Sequence, residues 1–422
     1  MQKKWYRLDT AGLIFPAIAR RNWSNAFRFS ATLSEEVDPA LLKQALDDLK
    51  KRFPSFFVRL GMGFFWYYLE ESRTPVPVIP DYAYPLTFMS RRELGKNCLR
   101  VLYYQNRVAV EFFHSLTDGH GGSVFLATLV ARYLELKYGI RIPAEGAVRD
   151  LSEKPSPEET EDSFLRYAAG KAAPRETGRA YRLHGTRERN GFRHLTTGVV
   201  KTDSLLEAAH RFGVSATAFL AAVMAESVIA IEEEDLPYKK RHPVRITLPV
   251  DLRKLFGSST LRNFVLTLDV GVDPRYGSYT LEELCRVIWH KLHAEATPQH
   301  MAGMIAANVE PQQITLLRLA PVVIKNPVMD LVYLRSGENG GCLNVSNLAT
   351  LELPEAMIPY VERAEFIIGP QRSYPNNCSV LTYNGRTYIN MIRNIRESEL
   401  ERRFFSRLVD LGIAVDIETN RR

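Results

Sequence analysis

The clearest hydrophobic pattern in the chain runs from Leu99 to Gly139. β-Forming residues alternate over Leu99 to His114 (LRVLYYQNRVAVEFFH), on either side of Gln105-Asn106, a dipeptide suited to a hairpin turn. The alternation places Val108, Val110 and Phe112 on one face and Ala109, Glu111 and Phe113 on the other. The period then changes. From Ser123 to Tyr138 apolar residues recur at helical spacing (Phe125, Leu126, Leu129, Val130, Tyr133, Leu134), and Gly139 supplies a C-terminal stop. This predicts strand, turn and helix, with His114 at the strand end and Asp118 in the turn.

The same alternation of strands and helices recurs along the chain. Residues 23–33 read as a strand, and Pro39 to Arg52 as an amphipathic helix with Asp38 as N-cap and proline at the first helical position. Residues 56–69 are strand-rich and aromatic. Phe53, Phe56, Phe57, Phe64, Phe65, Trp66, Tyr67 and Tyr68 suit a core better than a ligand cage, with some available to line a channel. Ala11 to Ala19 (AGLIFPAIA) is apolar, but Arg7 and Asp9 precede it, Pro16 interrupts it and Arg20-Arg21 follow. It is therefore read as a folded segment rather than a secretory signal. No stretch approaches the roughly 18 uncharged apolar residues of a membrane span.

From Asp150 to about Arg193 the chain turns charged and proline-bearing, which predicts a partly mobile crossover. Beyond it come a strand at Thr196–Val200, a helix over 203–211 and a nearly all-apolar helix from Val214 to Ile231, of the kind that is buried. A chain of 422 residues is too long for one ordinary core. The expected organisation is an N-terminal lobe over 1–150, a crossover over 151–193 and a C-terminal lobe over 194–422, both lobes α/β.

Composition narrows the chemistry. The four cysteines, Cys98, Cys285, Cys342 and Cys378, are scattered and form no Cys-x-x-Cys pair, which argues against a disulfide scaffold or zinc site and suits a cytoplasmic setting. The net charge of +7 is mild, its basic pairs are dispersed, and no nucleic-acid-binding signature accompanies them. Gly-x-Ser-x-Gly is absent, and Gly61-Met62-Gly63 lacks the third glycine of a dinucleotide loop. His290, His293 and His300 have a spacing that a metal can use, but no neighbouring carboxylate or cysteine commends it; they read as surface or packing histidines. His114 remains. Its ordinary pKa of about 6.5 suits proton transfer without a metal. Taken alone, His-x-x-x-Asp-Gly is a short pattern that a strand-end histidine and a capping aspartate also satisfy.

Three blocks in order change that. Val108 to Gly122 (VAVEFFHSLTDGHGG), the string PVDLRK (249–254) with LRNF (261–264), and LNVSNLA (343–349) together resemble the chloramphenicol acetyltransferase-like superfamily of CoA-dependent acyltransferases. The resemblance is nearest to its bacterial alcohol acetyltransferase-like members. It implies two lobes, each a mixed sheet with helices, around an active-site channel. It implies His114 as general base, Asp118 in a structural salt bridge with Arg253, and Ser346, with Asn347 beside it, facing the channel as candidate donors to the oxyanion. Gly119, Asn263 and Asn347 support the site. Acyl-CoA is then a co-substrate, with no permanently bound cofactor and no metal, and the acceptor is a small alcohol or amine. The positive charge would suit CoA phosphates or an acidic carrier protein, and equally a solvated surface. Two alternatives share the fold: a stand-alone condensation-type enzyme that takes its acyl group from a carrier protein, and a non-catalytic binding module. Phe113 stands where many members carry a first histidine, and the Asp-Phe-Gly-Trp-Gly block of plant relatives is absent.

Overall fold

The computed structural model describes residues 4–20, 23, 25–173, 178–333 and 339–420. The predicted hairpin forms from Leu99–Tyr104 and Arg107–Phe113, with Gln105 in the turn at φ 49°. Ala26–Leu33 pairs antiparallel with the second of these strands, and Val78–Pro80 pairs parallel with the first. The helix Gly119–Tyr138 buries one face against this sheet, where Phe53, Phe56, Phe112 and Phe125 pack edge to face and stacked.

The other face of the sheet is closed as well, against the expectation for a charged position. Glu111 is 1% exposed. Its carboxylate accepts from Arg100 Nε at 2.9 Å and from the Leu86 backbone N–H at 2.7 Å, with Arg28 at 3.4 Å. A buried carboxylate persists only with such partners.

The fifth strand of this sheet comes from the far end of the chain. Val361–Ile368 pairs antiparallel with Ala26–Leu33, so one strand of residues 194–422 completes the sheet of the first lobe. The sheet order is Val361–Ile368, Ala26–Leu33, Arg107–Phe113, Leu99–Tyr104, Val78–Pro80.

A seven-stranded mixed sheet builds the second lobe, in the order Val265–Val272, Val244–Asp251, Leu343–Thr350, Asn376–Tyr383, Arg386–Arg393, His194–Lys201, Asp416–Thr419. Leu343–Thr350 runs parallel to both of its neighbours. The apolar helix predicted from Val214 spans Ala216–Asp235, with Ser215 as N-cap, and is buried along most of its length. A small sheet of Trp5–Arg7, Tyr67–Glu71 and Val58–Met62 sits beside the first lobe.

The crossover is packed rather than loose where it is described. Phe164, Ala180, Tyr181 and Leu183 join the core of the second lobe, and Asp162 caps the short helix Ser163–Tyr167. Charged, proline-bearing composition registered its surface side and missed these anchors. Among the described residues, no single helix is long and apolar enough to cross a membrane.

Candidate active site

His114 directly follows Arg107–Phe113 and continues its pairing, donating its backbone N–H to the Asn25 carbonyl at 2.8 Å. Its ring lies parallel to Phe15, with centroids 4.4 Å apart, and meets Phe27 edge-on at 5.0 Å. This apolar burial pushes the imidazole pKa below its ordinary value. The ring's own backbone carbonyl, Asp118 and Asn263 pull the other way without restoring it. Burial thus favours the neutral imidazole over the imidazolium. Nδ1 lies 3.0 Å from Asn263 Oδ1, and Asn263 Nδ2 donates to the His114 carbonyl at 2.9 Å.

Asp118 does two jobs at once. As N-cap of Gly119–Tyr138 it accepts from the backbone N–H groups of His120 and Gly121. The helix thus starts four residues before the apolar periodicity, in a glycine-rich stretch that reads as loop without its cap. The same carboxylate takes Arg253 at 2.9 Å and 3.1 Å, and the Phe264 N–H at 2.8 Å. Arg253 is fixed in turn by the Thr260 carbonyl and Asp251. The expected Asp118–Arg253 pair is thus present and buried, joining the two lobes beneath His114.

Close approach at this junction needs glycine. A Cβ on Gly121 would sit 2.2 Å from the Leu261 carbonyl oxygen, and one on Gly119 would sit 2.8 Å from Leu348 Cδ2. Gly119 serves packing; its backbone is not in the left-handed region.

A channel of about 820 Å³ runs between the lobes and is lined by residues of both, among them His114, Gly119, Asn263, Ser346 and Leu348. The Ser346 hydroxyl makes no hydrogen bond to a described residue. Asn347 is not brought into the channel: its Nδ2 donates to Thr217 Oγ1 at 3.0 Å and its Oδ1 accepts from the Ala349 N–H. Strand neighbours point to opposite faces, so Ser346 shares its face with Asn344 and Leu348, both channel residues. That alternation was available to predict Asn344 in place of Asn347. Phe15, read from sequence only as part of a folded apolar segment, is a wall of the channel. Of the aromatic run, Phe53, Phe56 and Phe57 are core, whereas Phe65, Trp66 and Tyr67 line the channel. His293 stacks on Trp289, and among the described residues no three His, Cys, Asp or Glu side chains cluster for a metal.

No protein-family model and no curated protein matches the chain. Solved structures do. Polyketide synthase associated protein 5 from Mycobacterium tuberculosis aligns with a TM-score of 0.61 at 16% identity, over 96% of this chain and 98% of that one. TRI101 of Fusarium graminearum, complexed with coenzyme A and deoxynivalenol, aligns with a TM-score of 0.64 at 10% identity, over 95% and 97%. The starter condensation domain of rhizomide synthetase, in complex with C8-CoA, aligns with a TM-score of 0.58 at 14% identity, over 97% and 94%. At these identities the likeness is one of fold. The chain has the two-lobed α/β architecture that its three sequence blocks imply.

Proposed function

We propose that the protein transfers an acyl group from acyl-CoA to an alcohol or amine, with His114 as general base. The observation that carries this reading is an aromatic-flanked imidazole in a channel between two lobes, with its Nδ1 side occupied by Asn263. His114 takes the proton from the acceptor O–H or N–H as the heteroatom attacks the thioester carbonyl. The tetrahedral intermediate collapses, the C–S bond breaks, and His114 passes the proton to the departing sulfur, so that CoA leaves as the thiol and the imidazole is neutral again. General-base assistance of this kind supplies about 10²–10⁴-fold. Ser346, whose hydroxyl is uncommitted, donates to the oxyanion. Asp118, Arg253 and Gly119 hold the loop; the first lobe is residues 1–150 completed by the strand Val361–Ile368, the second is the rest of 194–422, and 151–193 crosses between them.

Coenzyme A bound in the TRI101 structure and C8-CoA in the rhizomide synthetase structure support a CoA donor by analogy of fold. The test is calorimetric titration of the protein with CoA and with acetyl-CoA. Saturable micromolar binding is expected and opens a thiol-release screen of acceptors. Absence of binding overturns the CoA donor, and a carrier-protein pull-down then separates condensation-type catalysis from a non-catalytic module.

A further inference from the structure

Asp9 lies in the N-terminal segment, is 0% exposed and belongs to none of the sequence blocks. Its Oδ1 accepts the Gly12 N–H at 2.6 Å. Both carboxylate oxygens face the Asn263 side-chain amide, with Nδ2 at 3.1 Å from Oδ2 and 3.3 Å from Oδ1. The Asn263 backbone N–H reaches Oδ2 at 3.4 Å, and Arg262 Nε stands 3.5 Å from the same oxygen. Asp162, which accepts from Thr10, is the other charged group near it.

These contacts decide which way the Asn263 amide points. One Nδ2 proton goes to Asp9, the other to the His114 carbonyl at 2.9 Å, and both receivers are acceptors only. A flipped amide would set its oxygen against a carboxylate and a carbonyl together. The Asn263 Oδ1 is therefore turned to His114 Nδ1 at 3.0 Å, and an amide oxygen can only accept. Nδ1 must carry the proton, which leaves the Nε2 lone pair as the free base.

We infer that Asp9 is a positioning residue: through Asn263 it holds His114 in the Nδ1–H tautomer, with Nε2 as the reactive nitrogen. This rests on the acyl-transfer reading for its catalytic consequence, and on geometry alone for the tautomer. It also gives the N-terminal segment a function, since a residue 105 positions upstream of His114 sets its protonation pattern through a residue of the second lobe.

The experiment is ¹⁵N NMR of the protein with labelled histidine at pH 8, with the His114 signals assigned by their loss in His114→Gln. The wild type is expected to show the Nδ1–H pattern. Asp9→Asn keeps the size of the side chain but replaces one of its two acceptor oxygens with an NH₂ and removes the charge, which loosens the hold on the Asn263 amide and lets it turn. The Nε2–H pattern should then appear at His114, and kcat should fall about 10²-fold with the acyl-donor KM unchanged. Asp9→Ser is a second variant with the same expectation. A wild type in the Nε2–H form overturns the inference outright, as does an unchanged His114 pattern in the variants. Because the tautomer is read without turnover, a protein that binds no CoA but shows these patterns would lose the function and keep the positioning.

Discussion

Asp118 and Arg253, 135 positions apart, meet at 2.9 Å with their side chains only 3% and 5% exposed. Around them the start of a helix, a strand end of the first lobe and a loop of the second converge on one carboxylate. Removing one partner leaves the other charge buried and uncompensated, which costs about 3–5 kcal/mol. Asp118→Asn should therefore lower the thermal midpoint by many degrees as well as the rate; an unchanged midpoint would remove the structural assignment.

His114→Ala should leave the circular dichroism spectrum unchanged and reduce turnover about 10²–10⁴-fold. Since burial lowers the pKa of His114, the rising limb of kcat/KM against pH should lie below 6.5 in wild type. A limb above 7 would point to a different base.

For Ser346→Ala the expectation is a loss of about 10²–10³ in kcat with little change in donor KM, the signature of a contact made in the transition state. A change confined to KM would instead mark Ser346 as a ground-state binding group.

Gly121→Ala tests the lobe junction sterically. With the Leu261 carbonyl oxygen 2.2 Å from the new methyl group, one backbone must shift, at a cost of about 1–3 kcal/mol in urea denaturation. Equal stability of the variant would show that the junction has slack.

Asp9 should leave a mark on stability against pH. Burial pushes its carboxyl from 3.8 up to about 6. Between those values the folded state holds a proton that the unfolded state has released, so stability falls as pH rises through the window. The loss is on the order of 3 kcal/mol at full ionisation. Asp9→Asn should remove that slope, so its stability relative to wild type should improve between pH 4 and 7. A constant difference across that range would contradict the assignment.

How much of this was legible beforehand depends on the range of each contact. His114, Asp118 and the helix after them sit within one strand-turn-helix unit, and local periodicity located them to within a few residues. Arg253 and Asn263 came from blocks whose partners only a family resemblance could suggest. Phe15 and Asp9 gave no signal, because an apolar residue and an acid in a short N-terminal segment acquire meaning only from the strand and loop that close over them. Asn347 shows a different miss: one residue of register decides which face of a strand meets the channel. The strand Val361–Ile368 was equally hidden, since nothing in its own residues names Ala26–Leu33 as its neighbour.

That strand also sets an order of events during synthesis. Once Arg107–Phe113 has left the ribosome, Ala26–Leu33 has one side paired with it and the other bare, and residues 114–360 must still be made before its second neighbour emerges. An open strand edge of this length invites pairing with the wrong chain. The N-terminal lobe is thus the first to be made and among the last to be finished. Expressed without the rest of the protein, it should gather into aggregates rather than stand alone.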